Sequence, residues 1–248
     1  MVQATGKDPA AQSAAGCAAS QGGGRETARR AKTRERLMDA AYRIFSEQGI
    51  NGASIETITD EAGFTRGAFY SNFASKTELF FALTERENRT RLERLRQRFD
   101  SVVEPLGRTR DKPSREFFEG VIADLLSTQP DTRQWCLMLG EFRLLAMRDP
   151  EVAPRFLESA RTFRQQLAEL LEATARSLGL RFVIDSVHLT RLLIDQYESA
   201  MQETILSGAA DPENATRETI MHTLPTLLHS LTEVVDSSAE AGANSAEA

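Results

Sequence analysis

The chain has 248 residues, 41% of them hydrophobic and 27% charged, with a net charge of −6. That much apolar matter builds cores for one small and one ordinary-sized domain, but no run reaches the ~18 apolar residues of a membrane span and the amino terminus lacks a continuous apolar secretory segment, so a cytoplasmic protein is expected. Two cysteines, Cys17 and Cys136, make neither a disulfide framework nor a zinc set.

Residues 1–24 are mostly Ala, Gly, Gln and Ser and hold too little apolar surface to offset the entropy of ordering, so a disordered tail is expected there. Arg25, Arg29, Arg30, Lys32, Arg34 and Arg36 then lead into a helix whose face is marked by Leu37, Ala41, Ile44 and Phe45 and whose stop is Gly49. This basic lead-in reads either as a phosphate-binding or minor-groove arm or as a solvated approach to the helix. Ser54 is placed to cap a second helix carrying Ile55, Ile58 and Ala62 on one face, which Gly63 ends and reverses. Thr65 caps a third, in which Gly67 and Ala68 are small enough for close backbone approach and Phe69 and Phe73 turn inward, leaving Arg66, Tyr70, Ser71 and Asn72 outside. Ser75 and Glu78 form a capping box at the start of a fourth helix. Two short helices on a glycine-centred turn, feeding a longer one, make a helix-turn-helix over 54–73.

From about Arg30 to Phe81, a fifth of the chain, the sequence resembles the DNA-binding domain of the TetR family of bacterial transcriptional regulators. The resemblance rests on Ala40-Ala41, Phe45 and Gly49, on Ile58-Thr-Asp-Glu-Ala-Gly63, on Gly67-Ala-Phe-Tyr-Ser-Asn-Phe73, and on Lys76 with Leu79. The family often has His where this chain has Asn72. The resemblance implies an all-α protein: an amino-terminal helix-turn-helix domain (31–91) joined by a long helix to a carboxy-terminal effector-binding and dimerisation bundle (92–236), about nine helices in all. It implies that Thr65, Arg66, Gly67 and Ala68 face base edges, with Arg66 the candidate for a guanine. Tyr70, Ser71, Asn72, Ser54 and Lys76 would hold phosphates, and Thr33 and Arg34 are further candidates for DNA contact.

The helix from Lys76 is expected to reach about Phe99, burying Leu79, Leu83, Leu92, Leu95 and Phe99 and pairing Glu85 with Arg89 and Glu87 with Arg91 at four-residue spacing. Beyond Pro105 the pattern stays helical, with no strand expected. Phe117, Phe118, Val121, Ile122, Leu125 and Leu126 form one stripe, and Trp135 to Met147 is apolar on nearly every side, which places it mid-bundle. Asp149-Pro150-Glu151 and Asp211-Pro212-Glu213 each read as a cap, a first-turn proline and an acid opening a long helix. Between those two, a helix from about Ser186 to Leu206 stops at Gly208, and the last runs to about Val235 with Pro225 as a kink. Residues 237–248 are expected to form a second disordered tail.

The charge is unevenly spread. Residues 25–100 carry 15 basic against 12 acidic side chains, and the remainder 15 against 24, an asymmetry suited to one end meeting phosphate. A short recognition helix makes too few base contacts to single out a site, so a homodimer on double-stranded palindromic DNA is expected. Leu189, Leu193, Ile205, Ile220, Leu224, Leu227, Leu228 and Leu231 are its candidate interface. A small hydrophobic or aromatic effector is expected in a pocket lined by Phe118, Trp135, Met138, Glu141, Phe142, Phe163, Tyr197 and Met201. Release of DNA on effector binding is the expected response, with an activator or a ligand-independent regulator as the alternative. An all-helical enzyme is the remote reading, since His188, His222 and His229 sit on amphipathic helices without a nucleophile elbow, paired carboxylates or metal-ligand spacing. No cofactor or metal is expected.

Overall fold

The structure, a computed structural model, describes residues 19–106, 111–126 and 132–235. The tail expected over 1–24 lies outside them, with Cys17, except for 19–24, where the first helix has already begun; the tail expected over 237–248 lies wholly outside. Among the described residues there are nine helices and two short strands. The helices are α1 (Ala19–Gly52), α2 (Ile55–Ala62), α3 (Arg66–Tyr70), α4 (Lys76–Leu106), α5 (Arg115–Leu126), α6 (Thr132–Arg148), α7 (Ala153–Ser177), α8 (Ser186–Leu206) and α9 (Pro212–Ser230). No helix among the described residues is long and apolar enough to cross a membrane.

Three local expectations give way to the structure. Asp149 does not cap α7: its carboxylate accepts from the Glu151 N–H at 2.9 Å in a separate turn, and α7 opens after Val152 with Pro154 in its first turn. The helix expected to reach Val235 ends at Ser230, and Thr232–Val234 (β2) pairs antiparallel with Leu180–Phe182 (β1). Gly179 makes this ribbon possible, because its φ of 74° turns the chain out of α7 and its carbonyl accepts from the Val235 N–H. Third, α6 is not wrapped on all sides, for Met147 is 77% exposed and Leu144 49%. By contrast Asp211 caps α9 as expected, accepting from the Asn214 N–H at 3.0 Å, with Pro212 at the first position.

The largest core runs across the domain boundary. It gathers Leu37, Phe45, Ile58, Phe69, Phe73, Leu79 and Phe80 from α1 to α4 together with Met138, Phe142 and Ala146 of α6 and Val152 just beyond it. A second core joins α5, α8 and α9 through Ile122, Ala200, Ile220 and Leu224. Gly49 marks where α1 meets α6: φ 70° with ψ 167° is backbone that side-chain-bearing residues rarely adopt, and a Cβ there would lie 3.0 Å from the Glu141 carboxylate. The carboxylate can swing aside, so backbone strain dominates. Gly49→Ala is expected to cost about 1–3 kcal/mol of unfolding free energy in urea titration; an unmoved midpoint would mean the strain is absent.

Candidate nucleic-acid interface

Each short helix of the recognition unit is built by its caps. The Ser54 hydroxyl accepts from the Thr57 N–H at 2.9 Å, Gly63 closes α2 at φ 68°, and the Thr65 hydroxyl accepts from the Ala68 N–H at 3.3 Å. Behind α3, Phe69 and Phe73 are fully buried and hold it against α1 and α4. In front, Thr65, Arg66, Gly67, Tyr70 and Ser71 are exposed and Ala68 half-exposed, so the expected reading edge does face outward. The capping box of α4 is offset by one residue: Ser75 accepts from the Glu78 N–H, but Glu78 reaches the Ala74 N–H at 2.6 Å.

The far ends of these helices are held by cations, and here several expected phosphate contacts are reassigned. A helix carboxy terminus presents free carbonyls and partial negative charge, which a positive side chain satisfies. Arg30 and Arg34, one turn apart on α1, donate to the Ser71 and Asn72 carbonyls past the end of α3, and the Arg34 guanidinium lies 4.2 Å above the Phe73 ring. Arg36 donates to the Ala62 carbonyl of α2 at 2.7 Å. The Lys76 ammonium donates to the Ile50 and Ala53 carbonyls at 2.9 and 2.6 Å, closing α1. Arg34 and Lys76 therefore point into the domain as clamps.

Two uncharged candidates spend their side-chain donors within the protein. The Thr33 hydroxyl donates to the Arg29 carbonyl of its own helix. Asn72 is buried: its amide nitrogen donates to the Ala68 carbonyl at 2.8 Å and the Ser71 hydroxyl at 3.2 Å, which leaves no donor for a phosphate. At the start of α4 the backbone N–H groups of Lys76 and Thr77 are first-turn amides, which have no partner within a helix.

Arg66 is the only cation between Ser54 and Phe73, a stretch that also holds Glu56, Asp60 and Glu61. Its guanidinium lies 3.4 Å from the Tyr70 hydroxyl and 2.6 Å from the Glu56 carboxylate at the start of α2. The bond to Tyr70 and, next, the charge of Glu56 hold it above the ordinary arginine value. Glu61 is taken up by Arg43 at 2.7 Å. In the sequence Glu56 reads only as an acid favoured in a first turn, and Arg30 and Arg36 only as part of a basic lead-in.

Two sets of contacts tie α4 to its neighbours. On α4, Arg86 donates to Glu35 and Asp39 of α1 at 2.9 and 2.7 Å and to Glu87; burial lowers its pKa, but these three bonds outweigh burial and raise it. On α6, the Phe142 ring stacks on Phe80 at 3.6 Å and meets Phe81 edge-on at 5.0 Å.

The expected effector set is scattered by the fold. Met138 and Phe142 are fully buried in the shared core, and Phe118 is buried against Phe117 and His229. Met201 is buried between α8 and α9, where Thr216 donates to its sulfur, and Tyr197 packs with the same pair. Trp135 lies under the buried Arg91 guanidinium at 4.4 Å, and Glu141 is exposed beside Gly49. Only Phe163 of the set lines the large open groove of about 1070 Å³ between α4 and α7, whose floor includes Phe81, Leu92 and Leu170 and whose rim carries Arg89, Arg96, Glu93 and Glu158. Of the expected dimer residues, Leu189, Ile220 and Leu224 are buried within the chain and cannot meet a second copy. Leu193, Ile205, Leu227, Leu228 and Leu231 are half-buried, while Leu192 and Leu206 of α8 are exposed.

Residues 37–83 match the family described as bacterial regulatory proteins, tetR family. The chain is 43% identical over 54 residues to the HTH-type transcriptional regulator AcrR of Shigella flexneri, covering 22% of this chain and 25% of that one. It is 29% identical over 148 residues to the HTH-type transcriptional repressor Rv1474c of Mycobacterium tuberculosis, covering 60% and 65%. The chain thus spans less than two thirds of the length of each of these relatives. A crystal structure from Mesorhizobium loti assigned to the TetR family shares the fold with a TM-score of 0.61 at 16% identity, over 81% of this chain and 96% of that one.

Proposed function

We propose that this chain, a member of the TetR family of bacterial regulators, is a ligand-responsive transcriptional repressor that binds a palindromic operator as a homodimer. The observation that carries this reading is the outward edge of α3, where Thr65, Arg66, Gly67 and Tyr70 are exposed on a helix locked from behind by Phe69 and Phe73. Arg66 is the group to read a guanine, and Tyr70, Ser71 and the N–H groups opening α4 are those to hold phosphate. With five residues in α3 and about 1–3 kcal/mol of discrimination per good base contact, one copy cannot select a genomic site, and two related by a two-fold axis can. Leu192 and Leu206, fourteen residues apart and hence on one side of α8, support pairing through the outer faces of α8 and α9.

The groove between α4 and α7 supports an amphiphilic effector, because an apolar floor and a charged rim suit a molecule with both characters. An effector wedged there tilts α4 and with it the recognition unit. Lowering operator affinity a hundredfold requires a preference of about 2.8 kcal/mol for the released state, within reach of a drug-sized ligand. The repressor assignment follows the name of the mycobacterial relative.

Selection of bound duplexes from random sequence is the test, and an inverted repeat is the expected product. On that repeat Arg66→Ala should relax one base position and cost about 1–3 kcal/mol, whereas Tyr70→Ala should weaken all sequences alike. Unchanged binding by both folded variants would remove the reading.

A further inference from the structure

The reading edge carries its own opposing charge. Glu56 and Arg66 are the second residue of α2 and the first of α3, and the turn at Gly63 brings these two helix starts side by side. A cation at a helix amino terminus is disfavoured by the helix dipole and an acid there is favoured, so Glu56 suits its own helix and also compensates Arg66. The pair closes at 2.6 Å with both side chains more than half exposed, 62% for Arg66 and 55% for Glu56. Tyr70 bounds the same guanidinium, with its ring centre 5.6 Å away.

The strength of this pair is the informative quantity. An exposed ion pair shifts an equilibrium by roughly 1.5- to 5-fold, while a bidentate arginine on guanine discriminates by roughly 5- to 150-fold. A lone phosphate offers Arg66 a partner similar to the one it already has. The latch therefore opens for guanine and stays shut on undirected backbone contact. With Arg66 latched, the stretch from Ser54 to Phe73 has no free cation to offer a phosphate, while Glu61 is compensated by Arg43.

We infer that Glu56 tunes operator affinity: it holds Arg66 in the free protein, and cognate DNA must open the pair to bring Arg66 to a base edge. This rests on the DNA-binding reading above, with Arg66 at a base edge. The test measures dissociation constants of the full-length chain for its selected inverted repeat and for a scrambled duplex of equal length, in wild type, Glu56→Gln, Arg66→Ala and the double variant. Glutamine keeps the shape of the exposed side chain and removes the charge. E56Q is expected to tighten cognate binding by up to about fivefold, because the pair no longer has to be broken, and to tighten scrambled-DNA binding less, so that the specificity ratio rises. In the R66A background the same substitution is expected to move both duplexes equally, because the latch has nothing left to hold. Equal tightening on both duplexes with Arg66 present, or a ratio change that persists without Arg66, overturns the inference and leaves a simple charge effect. A wild-type chain that selects no inverted repeat overturns instead the DNA-binding reading on which it rests.

Discussion

Phe142→Ala is expected to lower the stability of the whole chain by about 3–5 kcal/mol, and to do so in the recognition domain as well as in the bundle. The ring is fully buried, lies face to face with Phe80 at 3.6 Å, meets Phe81 edge-on and packs on Phe156 at 5.6 Å. Truncation therefore empties a space bounded by α4, α6 and α7, and the removal of three ring–ring interactions adds to the loss of burial. Phe80 also packs on Phe45 of α1, so the cavity opens beneath the recognition unit. For a chain of this size each kcal/mol moves the melting midpoint by about 2–4 °C, which gives a fall of about 6–20 °C. Hydrogen exchange locates the effect: amides of α1 should lose protection together with those of α6. If the α6 amides alone lose protection, the two domains melt separately and the shared core has no energetic meaning.

That shared core also shows how far the sequence was legible. The recognition unit could be read because its determinants are local. Ser54, Gly63, Thr65 and Ser75 act within four residues of themselves, and each takes the conformation that its side chain, or lack of one, dictates. The destinations of long side chains are set by tertiary contacts and could not be read in this way. For Arg34 and Lys76 the chemistry is as expected, a cation seeking an anionic oxygen, but their partners are carbonyls 38 and 26 residues away instead of phosphates. Likewise Met138 and Phe142 look like pocket lining in a one-dimensional pattern, because periodicity says that a face is buried and not what buries it. The unexpected ribbon has a similar cause: three-residue strands offer almost no alternation, and Leu180–Phe182 and Thr232–Val234 lie far apart in the chain, with Arg181 opposite Glu233.

Lys76 provides the sharper contrast between a residue that touches DNA and one that holds the reader in place. Lys76→Met keeps the aliphatic stem and removes two charge-assisted hydrogen bonds, leaving the Ile50 and Ala53 carbonyls at the end of α1 without their donor. Such bonds contribute about 1.5–3 kcal/mol each; with the ammonium only part-buried, a combined loss of about 2–4 kcal/mol is expected. Thermal unfolding should register this without any DNA present. The salt dependence of operator binding, measured well below the melting midpoint, then separates the two roles. A lost phosphate contact flattens the slope of log K against log salt by about 0.9 for each contact removed. A clamp that faces inward leaves that slope unchanged in the folded fraction and lowers affinity uniformly through misplacement of the α4 amino terminus. The expected result is a large stability loss with an unchanged slope. Intact stability with a shallower slope would turn the ammonium outward onto phosphate and return Lys76 to the role its position in the motif suggests.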